Sequence, residues 1–137
     1  MQKQIEFGSK QENVTEAVID MVAWLKAQGI SDEATANAEI VLAEALNNVV
    51  EHSFEYNEDG NIQLEVATEA NEFSMIIKDN GNVFPGIPQK KEMKGEAVEL
   101  DDLPEGGFGW FLIHELTNEI FYTRLGDLNA LELRMTH

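Results

Sequence analysis

The feature that most constrains this fold is a change in the spacing of apolar residues along the chain. Over residues 12–28 they recur every three or four positions, which predicts an amphipathic helix with Gly29 as its stop. A second helix is predicted from a cap at Ser31 or Asp32 to about residue 54. Over residues 61–79 the apolar residues alternate instead, as they do in half-buried strands.

The rest of the chain extends this pattern. Residues 3–8 suggest a short edge strand, residues 107–116 a third helix, and the tail two strands around Gly126 and Asp127. Residues 80–106 have little periodicity and contain all three prolines, so we expect a long loop. The predicted fold class is α+β, a two-layer sandwich in which helices cover one face of a mixed, mostly antiparallel sheet. We expect one domain over residues 1–137.

The second helix is expected to bury one side of its surface against this sheet. The apolar residues assigned to that side are Ile40, Ala43, Leu46, Val49 and Val50.

Composition and charge exclude several classes of function. The 137 residues carry a formal net charge of −17, which repels nucleic-acid phosphates. There is no cysteine, so a disulfide framework and a thiolate metal site are excluded. No apolar run reaches the length of a membrane span and the N-terminus lacks a secretory signal, so we expect a cytoplasmic protein with no membrane or nucleic-acid partner.

One face of the second helix carries Glu44, Asn48 and His52 at four-residue spacing. Such residues usually form a solvated helix face. However, the pair Asn47-Asn48 is unfavourable in the middle of a helix and caps nothing there. A magnesium site would explain the pair, because Mg²⁺ prefers oxygen ligands such as an amide carbonyl together with phosphates and water.

Two further segments favour nucleotide binding. Asp79 ends a predicted strand and Gly81 follows in a turn, where a carboxylate can accept a hydrogen bond from an adenine amine and glycine lets the base approach. Gly106, Gly107 and Gly109 precede the third helix, and backbone amides there can hold phosphate oxygens. Each segment alone is also consistent with an ordinary turn or loop. The glycine run is neither a Walker A loop nor a dinucleotide fingerprint.

Taken in order, these segments resemble the nucleotide-binding boxes of the GHKL ATPase superfamily. EIVLAEALNNVVEH resembles the N box, DNGNVFP the first glycine box, and LPEGGFGWFLIHEL the second. The strongest similarity is to the RsbW-like anti-sigma factor serine kinases, small stand-alone histidine-kinase-like ATPase domains of the Bergerat-type fold. The resemblance extends over nearly the whole chain.

The resemblance implies a role for each motif residue, with ATP and Mg²⁺ as ligands. Asn48 would bind magnesium, and Glu44 would orient or deprotonate the attacking hydroxyl. His52 would lie near the phosphates. Asp79 would contact adenine above Gly81. The phosphates would lie along Gly106, Gly107 and Gly109, under a mobile lid of residues 86–105.

Two departures from the family pattern stand out. Val83 occupies a position where many members carry a second glycine. No arginine lies near the motifs in sequence, which leaves open which group neutralises charge on the γ-phosphate.

The function implied by the resemblance is a serine kinase of a bacterial partner switch. Its substrate would be a STAS-domain anti-anti-sigma protein, its second partner a sigma factor or other output protein, and it would be a possible homodimer. Two alternatives remain open: a non-catalytic module that binds nucleotide and sequesters a partner, and the ATP-binding subunit of a split histidine kinase. A third, an acidic α+β protein with chance motif matches, is disfavoured by the order of the three boxes.

Overall fold

The computed structural model describes residues 1–83 and 107–137, and of residues 107 and 108 only the backbone is described. The helices are α1 (Gln11–Ala27), α2 (Asp32–Asn48) and α3 (Gly107–Leu116), and a π-helical turn, Val49–Ser53, follows α2 directly. The strands are β1 (Gln2–Gly8), β2 (Asn61–Thr68), β3 (Glu72–Asp79), β4 (Glu119–Leu125) and β5 (Leu128–Thr136). The predicted order of elements is confirmed, whereas the predicted lid, residues 86–105, lies outside the described residues.

The five strands form one sheet in the order β1-β2-β3-β5-β4. All pairings between the described strands are antiparallel, so this sheet is antiparallel throughout. The register between β3 and β5 places Asp79 opposite Asn129. This pairing brings together two polar residues that are far apart in the sequence.

The hydrophobic core lies between one face of the sheet and the helices. Alternate residues of β2 and β3, such as Leu64 and Met75, are fully buried, as are Met21 of α1 and Leu42 of α2. The other strand face carries polar residues, among them the ion pair between Lys78 and Glu65 at 3.1 Å. The α+β class, with helices on one face of the sheet, is therefore confirmed. No helix in the described ranges is long and apolar enough to cross a membrane.

The second helix differs from its prediction in two respects. Its N-terminal cap is Ser31, whose hydroxyl oxygen accepts a hydrogen bond from the Ala34 amide at 3.2 Å, as predicted. However, Ile40 is 41% exposed, because the buried side is rotated toward Ala38, Val41 and Leu42. The winding also widens after Asn48, and the Phe54 amide bonds the Val49 carbonyl five residues back.

Candidate functional site

The polar face of α2 meets the start of α3 around Gly109. A β-carbon on Gly109 would lie 2.7 Å from Glu44 Oε2 and 4.0 Å from Asn48 Nδ2. Glycine at position 109 leaves room for the Glu44 carboxylate in this position, whereas a β-carbon would push the end of that side chain aside. Two of the sequence motifs, the polar helix face and the second glycine segment, therefore lie together.

Asn48 is buried at this junction with its amide incompletely bonded. Its side chain is 5% exposed, and its Nδ2 has no hydrogen-bond partner among the described residues. Leaving a buried donor unpaired costs about 1–3 kcal/mol. The adjacent Asn47 is exposed and its Oδ1 accepts a bond from Gln11 Nε2 at 3.2 Å, so only Asn48 of the pair lies in the site.

The other end of the site lies where the π-helical turn meets the loop after β3. The Ser53 carbonyl accepts a hydrogen bond from the Asn82 amide at 2.7 Å, and a β-carbon on Gly81 would lie 2.6 Å from that carbonyl oxygen. Glycine at position 81 thus lets the turn pack directly on the helix backbone. From Glu44 to Ser53 the helix rises by ~13 Å, so the two clusters lie about that far apart along the same helix.

Asp79 is the buried carboxylate of this second end, with 2% of its surface exposed. Its Oδ1 accepts hydrogen bonds from the Gly81 amide and from Asn129 Nδ2, both at 2.9 Å. Burial raises the pKa of Asp79 above its ordinary value of 3.8. The Asn129 amide, the Gly81 N–H, the Arg124 guanidinium and the nearby Ser53 hydroxyl oppose that rise, although Ser53 falls short of hydrogen-bond geometry.

Not every predicted site residue is placed in this arrangement. His52 lies in the π-helical turn with its side chain 32% exposed, and its Nε2 is 3.9 Å from Glu51 Oε2. Gly107 is the first residue of α3. Gly106 lies outside the described residues. The contacts above therefore join Glu44, Asn48 and Gly109 at one end, and Asp79 and Gly81 at the other.

The structure adds three residues that the motifs did not indicate: Ser53, Arg124 and Asn129. Arg124 Nη1 donates to the Gly81 carbonyl at 2.8 Å, so an arginine does lie beside a motif, although it is more than 40 positions away in sequence. No local signal marks it. Only the strand register identifies it and Asn129.

The donor set fits ATP and Mg²⁺. Within residues 1–83 and 107–137 no group of three His, Asp or Glu side chains is placed to hold a metal ion. Magnesium, however, often takes one or two protein oxygens and completes its shell with phosphates and water, for which the Asn48 amide oxygen suffices. By its chemistry the unpaired Nδ2 of Asn48 can donate to an acceptor such as a phosphate oxygen, and the Asp79 carboxylate can accept from a donor such as a base amine.

Comparison with curated proteins gives kinases and an anti-sigma factor. The chain is 29% identical over 120 residues to the serine-protein kinase RsbW of Listeria monocytogenes, covering 85% of this chain and 75% of that protein. It is 30% identical over 118 residues to the serine/threonine-protein kinase BtrW of Bordetella bronchiseptica, covering 83% and 82%. It is 29% identical over 106 residues to the anti-sigma F factor of Clostridium botulinum, covering 77% and 73%.

Solved structures with a similar fold include histidine kinases. The histidine kinase domain of the Erythrobacter litoralis blue-light activated histidine kinase matches with a TM-score of 0.51 at 16% identity, covering 89% of this chain and 60% of that chain. Histidine kinase AdeS of Acinetobacter baumannii matches with a TM-score of 0.50 at 18% identity, covering 98% and 67%. At these identities the similarity establishes the fold.

The family assignment rests on nearly the whole chain. Residues 7–136 match the family described as the histidine kinase-like ATPase domain. The resemblance to GHKL ATPases and RsbW-like kinases, inferred from three short motifs, is confirmed. This chain belongs to the histidine kinase-like ATPase domain family.

Proposed function

We propose that this protein binds ATP with Mg²⁺ along α2 and transfers the γ-phosphoryl group to a serine of a STAS-domain anti-anti-sigma protein. The observation that carries the proposal is Asn48, a buried amide with an unpaired donor beside Glu44 and Gly109. A buried polar group without a partner is costly in an ordinary core and is accounted for if a ligand completes it. The family and the names of the relatives support the same conclusion.

The two ends of the site would hold different parts of the nucleotide. Asp79 Oδ2 would accept a hydrogen bond from the exocyclic amine of adenine, and Gly81 would keep the turn beside it packed on the helix backbone. Asn48 would supply its amide oxygen to magnesium and its Nδ2 to a phosphate oxygen. Gly106, Gly107 and Gly109 would present backbone amides to the phosphates, and His52 would lie at the edge of this end.

Glu44 is the residue proposed for the chemistry. As the serine hydroxyl attacks, a bond forms between its oxygen and the γ-phosphorus, and the bond from that phosphorus to the β,γ-bridging oxygen breaks. The hydroxyl proton passes to the Glu44 carboxylate, and ADP leaves with the bridging oxygen. Magnesium, when bound, neutralises phosphate charge, and the remaining catalysis is positioning.

The proposed biological role is that of an anti-sigma regulatory kinase in a bacterial partner switch. The second partner would be a sigma factor or another output protein, bound while the STAS-domain protein is phosphorylated, and the kinase, a possible homodimer, would act in the cytoplasm. The anti-sigma F factor among the relatives supports this role.

Calorimetry and a transfer assay test the proposal. The protein is expected to bind ATP with Mg²⁺ and much more weakly with a chelator, and to transfer labelled phosphate to a STAS-domain protein from the same genome. Asn48→Ala should weaken the magnesium-dependent binding, whereas the matched control Asn47→Ala should leave it unchanged. Absence of ATP binding would refute the proposal.

The same assay separates the alternatives. Tight binding of both ATP and the partner without transfer would indicate a non-catalytic sequestration module. Transfer to a histidine of a separate protein, and none to serine, would indicate the ATP-binding subunit of a split histidine kinase.

A further inference from the structure

Arg124 joins two turns that the proposed nucleotide site depends on. Its Nε donates to the carbonyl of Gly126 in the β4–β5 turn at 2.9 Å, and its Nη1 donates to the carbonyl of Gly81 at 2.8 Å. Gly81 is separated from Arg124 by 43 positions in sequence. The guanidinium therefore connects the hairpin turn of β4 and β5 to the turn after β3.

The same guanidinium also bonds the residue that holds Asp79. Arg124 Nη1 donates to Asn129 Oδ1 at 3.0 Å, and the Tyr122 hydroxyl donates to the same oxygen at 2.7 Å. Because both bonds fall on Oδ1, they orient the Asn129 amide so that its Nδ2 points the other way. That Nδ2 donates to Asp79 Oδ1 at 2.9 Å and to the Asn82 carbonyl at 2.7 Å.

The network constrains the Asp79 carboxylate from one side only. Both hydrogen bonds that position it, from Gly81 and Asn129, end on Oδ1. A carboxylate held through one oxygen has a defined orientation, and its second oxygen remains for a ligand. Asn129 and Asp79 are 1% and 2% exposed, so little water competes with these bonds.

We propose that Arg124 is a positioning residue for base recognition: through Gly81 and Asn129 it holds the Asp79 carboxylate in the orientation that accepts the amine of an adenine. This inference rests on the proposed ATP binding and deepens it, because it adds a determinant of base specificity on β4. Arginine suits the role, since its planar fork bonds two acceptors at fixed angles whereas lysine presents a single mobile ammonium group.

The first experiment needs no nucleotide. Amide hydrogen exchange of the ATP-free protein, followed by NMR, compares the parent with Arg124→Ala at the Gly81 and Asn82 amides, which donate to Asp79 and to Ser53. Exchange at both amides is expected to quicken by roughly tenfold or more, because the turn opens more often. Amides of the β1–β2 pair should be unchanged. Arg134→Ala is the matched control. Arg134 lies on β5, on the face of the sheet opposite to Arg124, and is paired with Glu132.

The second experiment measures base specificity. Binding of ATP and of GTP, each with Mg²⁺, is compared by calorimetry or competition for the parent, Arg124→Ala, Arg124→Lys and Arg134→Ala. Guanine presents a carbonyl oxygen where adenine presents an amine, so GTP gains nothing from a well-oriented Asp79. Arg124→Ala should lower ATP affinity by roughly tenfold and GTP affinity little, so that the ATP-to-GTP preference falls. Arg124→Lys should recover only part of that preference.

The outcomes separate this inference from the proposed function. If exchange at Gly81 and Asn82 is unchanged in Arg124→Ala, Arg124 does not hold the turn and the inference is overturned. If exchange quickens but ATP and GTP weaken equally, the arginine is structural only and its role in base recognition is wrong. If the parent itself binds no ATP, the proposed function fails first, whatever the variants show.

Discussion

At the Asp79 end of the site, Oδ1 of the buried carboxylate accepts hydrogen bonds from Gly81 and Asn129, whereas at the other end the buried Nδ2 of Asn48 has no partner in the described structure. The Asp79 carboxylate is therefore oriented before any ligand arrives, although the buried Ser53 hydroxyl beside it has no partner among the described residues. The other end contains an unpaired donor, which a ligand would satisfy. The difference teaches that the protein itself fixes the orientation of the Asp79 carboxylate, whereas the donor proposed to meet phosphate is left for a ligand to complete.

The largest expected effect concerns Glu44, at the incompletely bonded end. Glu44→Gln keeps the size of the side chain but removes its capacity to accept a proton. Phosphate transfer is expected to slow by roughly 10²–10⁴, while ATP affinity stays within a few-fold of the parent. Labelled ATP and a STAS-domain substrate measure transfer, and calorimetry measures binding. Transfer at the parent rate would show that Glu44 is a surface residue of the helix.

The next effect concerns the organised end. Asp79→Asn retains an oxygen that can accept from Gly81 and Asn129 but loses the charge that is proposed to face the base. ATP affinity is expected to fall roughly tenfold to a hundredfold. Asp20→Asn, an exposed carboxylate on α1, is the control and should bind normally. Equal affinity of the Asp79 variant and the parent in calorimetry would remove the adenine assignment.

Two glycine substitutions sharpen the comparison through stability. Gly81→Ala places a β-carbon 2.6 Å from the Ser53 carbonyl oxygen, which is backbone and cannot move easily, and should lower the free energy of unfolding by about 1–3 kcal/mol. Gly109→Ala meets the end of the Glu44 side chain, which can swing away, and alanine favours a helix.

The Gly109 variant should therefore stay within about 1 kcal/mol of the parent in stability but transfer phosphate more slowly, because Glu44 is displaced. Urea unfolding and the transfer assay measure the two quantities. A Gly109→Ala protein with parental transfer, or a Gly81→Ala protein with parental stability, would contradict the described packing.

The smallest effect is a dependence of stability on pH. Burial raises the pKa of Asp79, so the carboxyl favours folding most at pH values below its ordinary pKa of 3.8. Its contribution to the free energy of unfolding is lost as the pH rises through the raised pKa of the folded state. Asp79→Asn has no such loss. The free energy of unfolding of the variant minus that of the parent should therefore increase from acidic to neutral pH.

Urea titrations at pH 7 and at the lowest pH where both proteins remain folded measure this difference. The exposed Asp20→Asn is the control. A difference that is constant with pH would show that the Asp79 carboxyl is not destabilised by burial.

Much of the fold was predictable because it depends on local patterns. Ser31 caps α2. Gly29, with φ of 86°, turns the chain just after α1, and Gly126, with φ of 60°, forms the turn between β4 and β5. The site was only partly predictable. Asp79 and Asn48 stood out by residue type and position, but Arg124 and Asn129 lie on strands whose own patterns indicate nothing beyond half-burial.

The sequence by itself determined the order and type of the elements and the motifs that resemble the GHKL boxes, since periodicity and turn chemistry act over a few residues. The tertiary structure decided which strands are neighbours and in which register, because these depend on packing between distant segments. The pairing of β3 with β5 places Asn129 opposite Asp79, and the π-helical turn after Asn48 brings Ser53 under Gly81. Those two contacts form the organised end of the site, and no short stretch of the chain encodes either of them.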